Sequence, residues 1–186
     1  MKNSFYLLVC TLFLMACSKK QKINSEILNI PIEATIARFD EEFMQATPDN
    51  FNSLKQKYPY LLAEHIDDSV WFQKKNDSLF QELYSETQTK FSDLSTLTDE
   101  LTLLFKHIKY YFPNENPGKV VTVLSEVDIM NRAIYADTIS IISLDTYLGK
   151  DHEFYVDFDT YTLIDFESER IVVDLAESFA SQKVAQ

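Results

Sequence analysis

His65, His107 and His152 are the only imidazoles in the chain, and their spacing bounds its chemistry. A zinc-peptidase helix needs two histidines four residues apart, and no His-x-x-x-His pair exists. His65, in Ala-Glu-His-Ile-Asp-Asp, could ligate a metal with Asp67 and Asp68, although a polar loop explains the same residues more simply. His107 lies inside an apolar-periodic helix and reads as a surface or boundary residue. Asp157 and Asp159 form Asp-x-Asp without the glycine and later glutamate of a calcium loop. No serine sits in Gly-x-Ser-x-Gly. Gly118 and Gly149 are the only glycines, which excludes a Gly-rich phosphate cradle. With 29 acids present, carboxylate pairs can be drawn anywhere and do not identify a glycosidase. His152 beside Asp151, with the acids of 157–167, is where a hydrolase centre would have to be assembled. The sequence names no catalytic residue, no metal ligand set and no cofactor.

The most specific chemistry is at Cys17. Lys2 precedes an apolar run of 12 residues, Phe5 to Ala16, ending Leu14-Met15-Ala16-Cys17. As a helix that run would reach only about 18 Å, short of the roughly 30 Å of a bilayer core. It matches a secretory leader instead. Its end resembles a bacterial lipobox: a large aliphatic residue, a tolerant position, a small residue, then cysteine. Ala16 leaves the bond before Cys17 accessible to a signal peptidase. Cys17 then supplies the thiol that takes membrane lipid. A plain leader with a chance cysteine, or a buried N-terminal helix, fits this order less well. Cys10 would leave with the leader, so no intrachain disulfide is expected. One acyl chain holds a protein only marginally; the two or three chains of a bacterial lipoprotein cysteine make a lasting anchor. Residues 1–16 therefore read as leader, 17–29 as lipidated cysteine and polar tether, and 30–186 as the globular part. Ser18 stands where the inner-membrane retention rule of some bacteria wants Asp. The following Lys19, Lys20 and Lys22 lack the acids associated with surface export, which favours a periplasm-facing site in the cell envelope.

The net charge is −12, so nucleic acid is an unfavourable partner. The length suffices for one domain with its own core. Two apolar stretches, Lys119–Val127 and Ile134–Leu144, form the expected centre. Their short connection favours antiparallel pairing, and Asp137 splits or bulges the second. Ile30–Phe39 reads as an edge strand because of Pro31. Helices are expected from Asp40, over 50–57, after Asp68 or Ser69, over 77–90, over 96–112 to Pro113, and over 168–184. Asp145 is read as a helix cap and Gly149 as a helix end. The acidic, aromatic stretch 151–166 is expected to be an exposed loop. The fold class is α+β, mostly helical with a small antiparallel or mixed sheet.

With these segments in place, the sequence resembles the GldB family of gliding motility lipoproteins. The resemblance is carried by Ala37-Arg38-Phe39-Asp40, by 54–61, by Asp67-Asp68-Ser69-Val70-Trp71 and by Leu104 to Pro113. It continues through Ile134-Tyr135-Ala136-Asp137 and Ile142 to His152. It implies a membrane-anchored component of a gliding machinery tied to protein secretion, with no established catalytic residue. Family members usually continue further, so 30–186 is expected to be C-terminally truncated. The family is also distantly similar to zinc peptidases in its strand-then-helix order. The helix at 168–184 would correspond to the metal-binding helix, and its ligand histidines are missing, as in a degenerate zinc-peptidase-like fold. The expected partners are membrane lipid, through acylated Cys17, and other gliding or secretion proteins of the envelope, met by protein–protein contact. The competing readings are an envelope hydrolase built on His152, and a lipoprotein that binds a wall or lipid ligand.

Overall fold

The computed structural model describes residues 23–184. Ala16, Cys17 and the rest of the leader and tether through residue 22 lie outside the described residues. The order is α1 (Ser25–Leu28), β1 (Thr35–Arg38), α2 (Phe39–Gln45), α3 (Phe51–Lys57), α4 (Asp68–Lys75), α5 (Ser78–Lys90) and α6 (Ser95–Tyr111). Then come β2 (Lys119–Val123), β3 (Ala133–Ala136), β4 (Ile139–Ser143), α7 (Thr160–Leu163) and α8 (Arg170–Val184). Single 3-10 turns follow β4 and flank α7. The class is α+β, dominated by helix, with a small mixed sheet of four strands.

The sheet order is β1-β2-β4-β3. β1 runs parallel to β2, pairing Ile36 with Val120, and β2 runs parallel to β4, pairing Val121 with Ile141. Only β3 is antiparallel, pairing Ile134 with Ile141 on β4. The two central strands therefore do not pair antiparallel as their spacing suggests. The stretch 134–144 is split at Asp137, which takes φ 52°. β3 uses up the first reversal of the chain, and β4 returns in the direction of β2.

The sheet is covered on both faces, which suits the buried, β-branched centre of β2, Val120 to Thr122. Neighbouring side chains on a strand point oppositely, so Val120 and Val121 enter different cores. Val120 and Ile142 join Leu101 and Phe105 of α6 and Ile171, Leu175 and Phe179 of α8. Val121 joins Phe39, Phe43, Phe51 and Tyr58 from α2, α3 and the turn after it. α5 gives Leu83 to the first core and Phe80 to the second. The helices start and stop for local reasons. Asp67 and Asp77 cap α4 and α5, each accepting from a backbone N–H two residues on. Pro113 follows α6.

Two further features depart from the sequence reading, and a third concerns the last helix. Part of the expected tether is docked: Ile27 is buried, Glu26 accepts from Tyr110 at 2.8 Å, and Lys106 donates to the Leu28 carbonyl. The stretch 151–166 is not merely an exposed loop, because Tyr155 and Phe166 are buried within it, their rings 4.3 Å apart. The apolar face of α8 lies on the first core, beside β3. Ser178 Oγ accepts from the Tyr135 N–H at 2.9 Å and Gln182 donates to the Tyr135 carbonyl, so α8 closes that part of the sheet edge.

Candidate functional site

The three parallel strands end along one side of the sheet, where open sheets commonly bind ligands. The chain leaving β1 reaches Asp40, whose side chain is fully shielded from solvent. Arg38 grips it with Nε at 3.1 and 3.2 Å and Nη2 at 2.7 Å; Gln88 donates at 3.0 Å, and the Thr122 hydroxyl of β2 also donates. Arg38 is held in turn by Glu41, by the Phe91 carbonyl and by Gln88 Oε1. This network ties β1, α2, β2 and α5 together and consumes the acceptor capacity of the carboxylate.

The chain leaving β4 reaches Asp145, which is fully buried. Its two oxygens accept the N–H groups of Ser125 at 2.9 Å and Val127 at 2.7 Å, in the loop that leaves β2. Burial pushes the Asp145 carboxyl above the usual carboxylate range, against the pull of those amides. Glu126 and Val127 both sit at φ 60°. L-residues lose about 1–2 kcal/mol each in that region, and a β-branched residue there is exceptional. Asp145 thus holds a strained loop in place. Tyr155 braces the same turn, donating to the Asp145 carbonyl at 2.7 Å and accepting from the Leu148 N–H at 3.0 Å.

Two cavities flank this loop. One of about 210 Å³ is lined by Phe43, Leu61, Trp71, Lys74, Phe80 and Leu124, with Asp40 at its wall. The other, about 260 Å³, is lined by Leu79, Phe80, Leu83, Val127, Phe154 and Phe158, with Asp77 and Glu126 at its wall. Phe80 is common to both. An ion pair between Lys74 and Glu126 joins the two walls, and Lys74 Nζ lies 5.1 Å from the Phe80 ring centroid.

A third carboxylate, Asp174 on α8, is nearly buried. Arg170 Nη2 donates to it at 2.8 Å and the Tyr147 hydroxyl at 2.9 Å, and Arg132 Nε is ion-paired with it at 2.8 Å. Burial first, then the Asp174 charge, pushes the Tyr147 phenol far above its ordinary value, so it stays a hydrogen-bond donor. Asp165 joins both arginines from 164–166; Arg170 Nε lies 3.3 Å from it without hydrogen-bond alignment. This ion-pair network braces the start of β3, α8 and the preceding turn.

The residues singled out by sequence do not converge. His65 is exposed, Asp67 caps α4 and Asp68 pairs with Lys55 at 2.7 Å. His107 stacks on Tyr111. His152 lies 3.5 Å from Glu86 and stacks on Phe154, while Asp151, Asp157 and Asp159 are exposed. Among the described residues no group of three or more His, Cys, Asp or Glu could hold a metal ion, and no helix is long and apolar enough to cross a membrane. By sequence Asp40 marks a helix start, Asp145 a helix cap, and Asp174 only a position within the last helix. One local signal marked Asp145, an acid directly after an apolar strand and before Thr-Tyr-Leu.

Residues 20–186 match the protein family described as gliding motility protein GldB. No curated protein and no solved structure matches the chain significantly.

Proposed function

The chain belongs to the GldB family of gliding motility proteins, and from that premise we propose that it is a lipid-anchored component of the gliding machinery that acts by protein contact. The observation that carries the contact reading is the state of the three buried carboxylates. Asp40 is spent on Arg38, Gln88 and Thr122, Asp145 on two loop amides, and Asp174 on two arginines and Tyr147. Each braces the fold, and none is paired with a nucleophile or base facing a cavity. A general base must reach the proton it removes, and these groups are already committed. The Leu14-Met15-Ala16-Cys17 sequence supports the anchor, with Cys17 as the acylated residue in a periplasm-facing lipoprotein. The link to protein secretion follows from the family resemblance alone.

The test is cell fractionation of Cys17→Ala combined with crosslinked recovery of the tagged chain from gliding cells. The expected result is release of the variant from membranes and loss of the motility and secretion proteins recovered with the wild type. Unchanged partition into the detergent phase overturns the anchor. Stoichiometric metal, or hydrolysis lost in a folded His152→Ala variant, overturns the contact reading in favour of an enzyme.

A further inference from the structure

We propose that the groove between α5 and the 154–158 segment docks a basic polypeptide stretch carrying one bulky apolar side chain. The proposal rests on the contact reading above and names its surface and the chemistry of its partner. The groove is the cavity of about 260 Å³ walled by Leu79, Phe80, Leu83, Val127, Phe154 and Phe158, enough for one large side chain. Leu79 in its wall is 60% exposed, and Val156, which stands between the two groove phenylalanines in the chain, is 81% exposed. Clustered apolar exposure of this kind marks interaction sites more than scattered single residues do.

Charge selects the occupant. Between residues 151 and 169 there are seven carboxylates and no Lys or Arg. Asp151, Glu153, Asp157 and Asp159 are exposed and make no ion pair among the described residues. These four acids flank Phe154 and Phe158 in the chain, and the segment they make repels anionic headgroups, nucleic acid and a second copy of a chain whose net charge is −12. A segment rich in Lys or Arg is attracted to the same acidic stretch, and its apolar side chain is drawn to the groove. The loop forming one wall is already pinned by Asp145, so little has to be ordered when the partner arrives.

The experiment is fluorescence anisotropy on the full chain in nonionic detergent, with a labelled nonapeptide that has Phe at its centre among lysines. Two control peptides replace the Phe by Ser or the lysines by glutamates. The Phe–Lys peptide is expected to bind and both controls to fail. Its affinity should fall at least about tenfold for the exposed double change Asp157→Lys/Asp159→Lys, and again when salt is raised from about 50 to about 500 mM. Val156→Asp should weaken binding without altering Trp71 fluorescence. Equal binding of the Ser peptide, or indifference to the double change, overturns the proposal. Self-association abolished by the same changes reassigns the groove to a second copy. Tighter peptide binding after Lys19, Lys20 and Lys22 are changed to Ser reassigns it to the chain's own N-terminal segment; either result overturns the proposal. Membrane release of Cys17→Ala is read in a separate assay, so failure of the anchor and failure of this surface are told apart.

Discussion

Asp40→Ala is expected to lower stability by about 3 kcal/mol, at the lower end of the roughly 3–5 kcal/mol for breaking a buried ion pair. The structure sets that position in the range. The change removes an acceptor that four donors use: two from Arg38, one from Gln88 and one from Thr122. Gln88 and Thr122 lose a partner inside the protein. Arg38 does not lose everything, because Glu41 remains at 2.9 Å, the Phe91 carbonyl at 3.2 Å and 16% of its side chain meets solvent. The informative comparison is Arg38→Met/Asp40→Leu, which removes both charges and keeps apolar volume. It should be less destabilised than Asp40→Ala, with a coupling of about 2 kcal/mol, inside the range for residues in one network. The assay is urea unfolding followed by the fluorescence of Trp71, the single tryptophan, which packs edge-on to Phe43 in the adjoining core. The denaturant slope should be unchanged. A loss under about 1 kcal/mol for Asp40→Ala, or additive single changes, would refute the view that this carboxylate is held by a closed network.

Asp145 gives a pH-dependent test. Burial raises its folded pKa above the ordinary carboxylate value, so the folded state holds the proton more tightly than the unfolded chain. Its stabilising contribution is complete below the unfolded value of about 3.9 and is lost as pH rises through the folded value. Tyr155, whose hydroxyl donates to the Asp145 carbonyl, is pushed upward by its own burial and stays neutral throughout. Asp145→Asn removes this titration and one of two amide acceptors. It should cost about 1–3 kcal/mol in acid and progressively less as pH rises; a cost that grows with pH in urea titrations contradicts the assignment. On α8, Leu175→Ala at a fully buried position should cost about 2–5 kcal/mol. Val173→Ala, 46% exposed two residues away, should stay within about 0.5 kcal/mol in the same denaturation assay. Tyr155→Phe removes a donor to the Asp145 carbonyl and an acceptor for the Leu148 N–H. It should lower stability by about 1–3 kcal/mol, and hydrogen exchange should quicken at Leu148.

Helices were legible where one face repeats. Leu97, Leu101, Phe105 and Ile108 announce α6, and those residues are the ones buried in it. Asp77 announced the start of α5 because a short acceptor ahead of an apolar turn has few other uses. β1 was recognisable as an edge strand, and it lies at the end of the sheet. Strand direction was not legible, because it depends on one residue. Asp137 in the left-handed region makes 134–144 two strands, and a pattern of apolar residues does not encode that reversal. The 151–166 segment misled for a different reason. Its acids and its exposed Val156, Tyr161 and Ile164 hide two buried aromatics, Tyr155 and Phe166. The bracing carboxylates were invisible because Asp40, Asp145 and Asp174 meet partners 82, 20 and 42 residues away. An acid in a sequence window looks the same whether it caps a helix or closes a long-range network.

The closing of the β3 edge by Ser178 and Gln182 has a consequence for a protein held at a surface. A lipid anchor of the kind proposed above would confine copies to two dimensions, where neighbours meet at effective concentrations far above those in bulk solution. An open strand edge under that crowding would template pairing between copies. Here the outward N–H and carbonyl of Tyr135 are already occupied by two side chains of the same chain. At Tyr135 the edge has no unpaired backbone to offer a neighbouring copy.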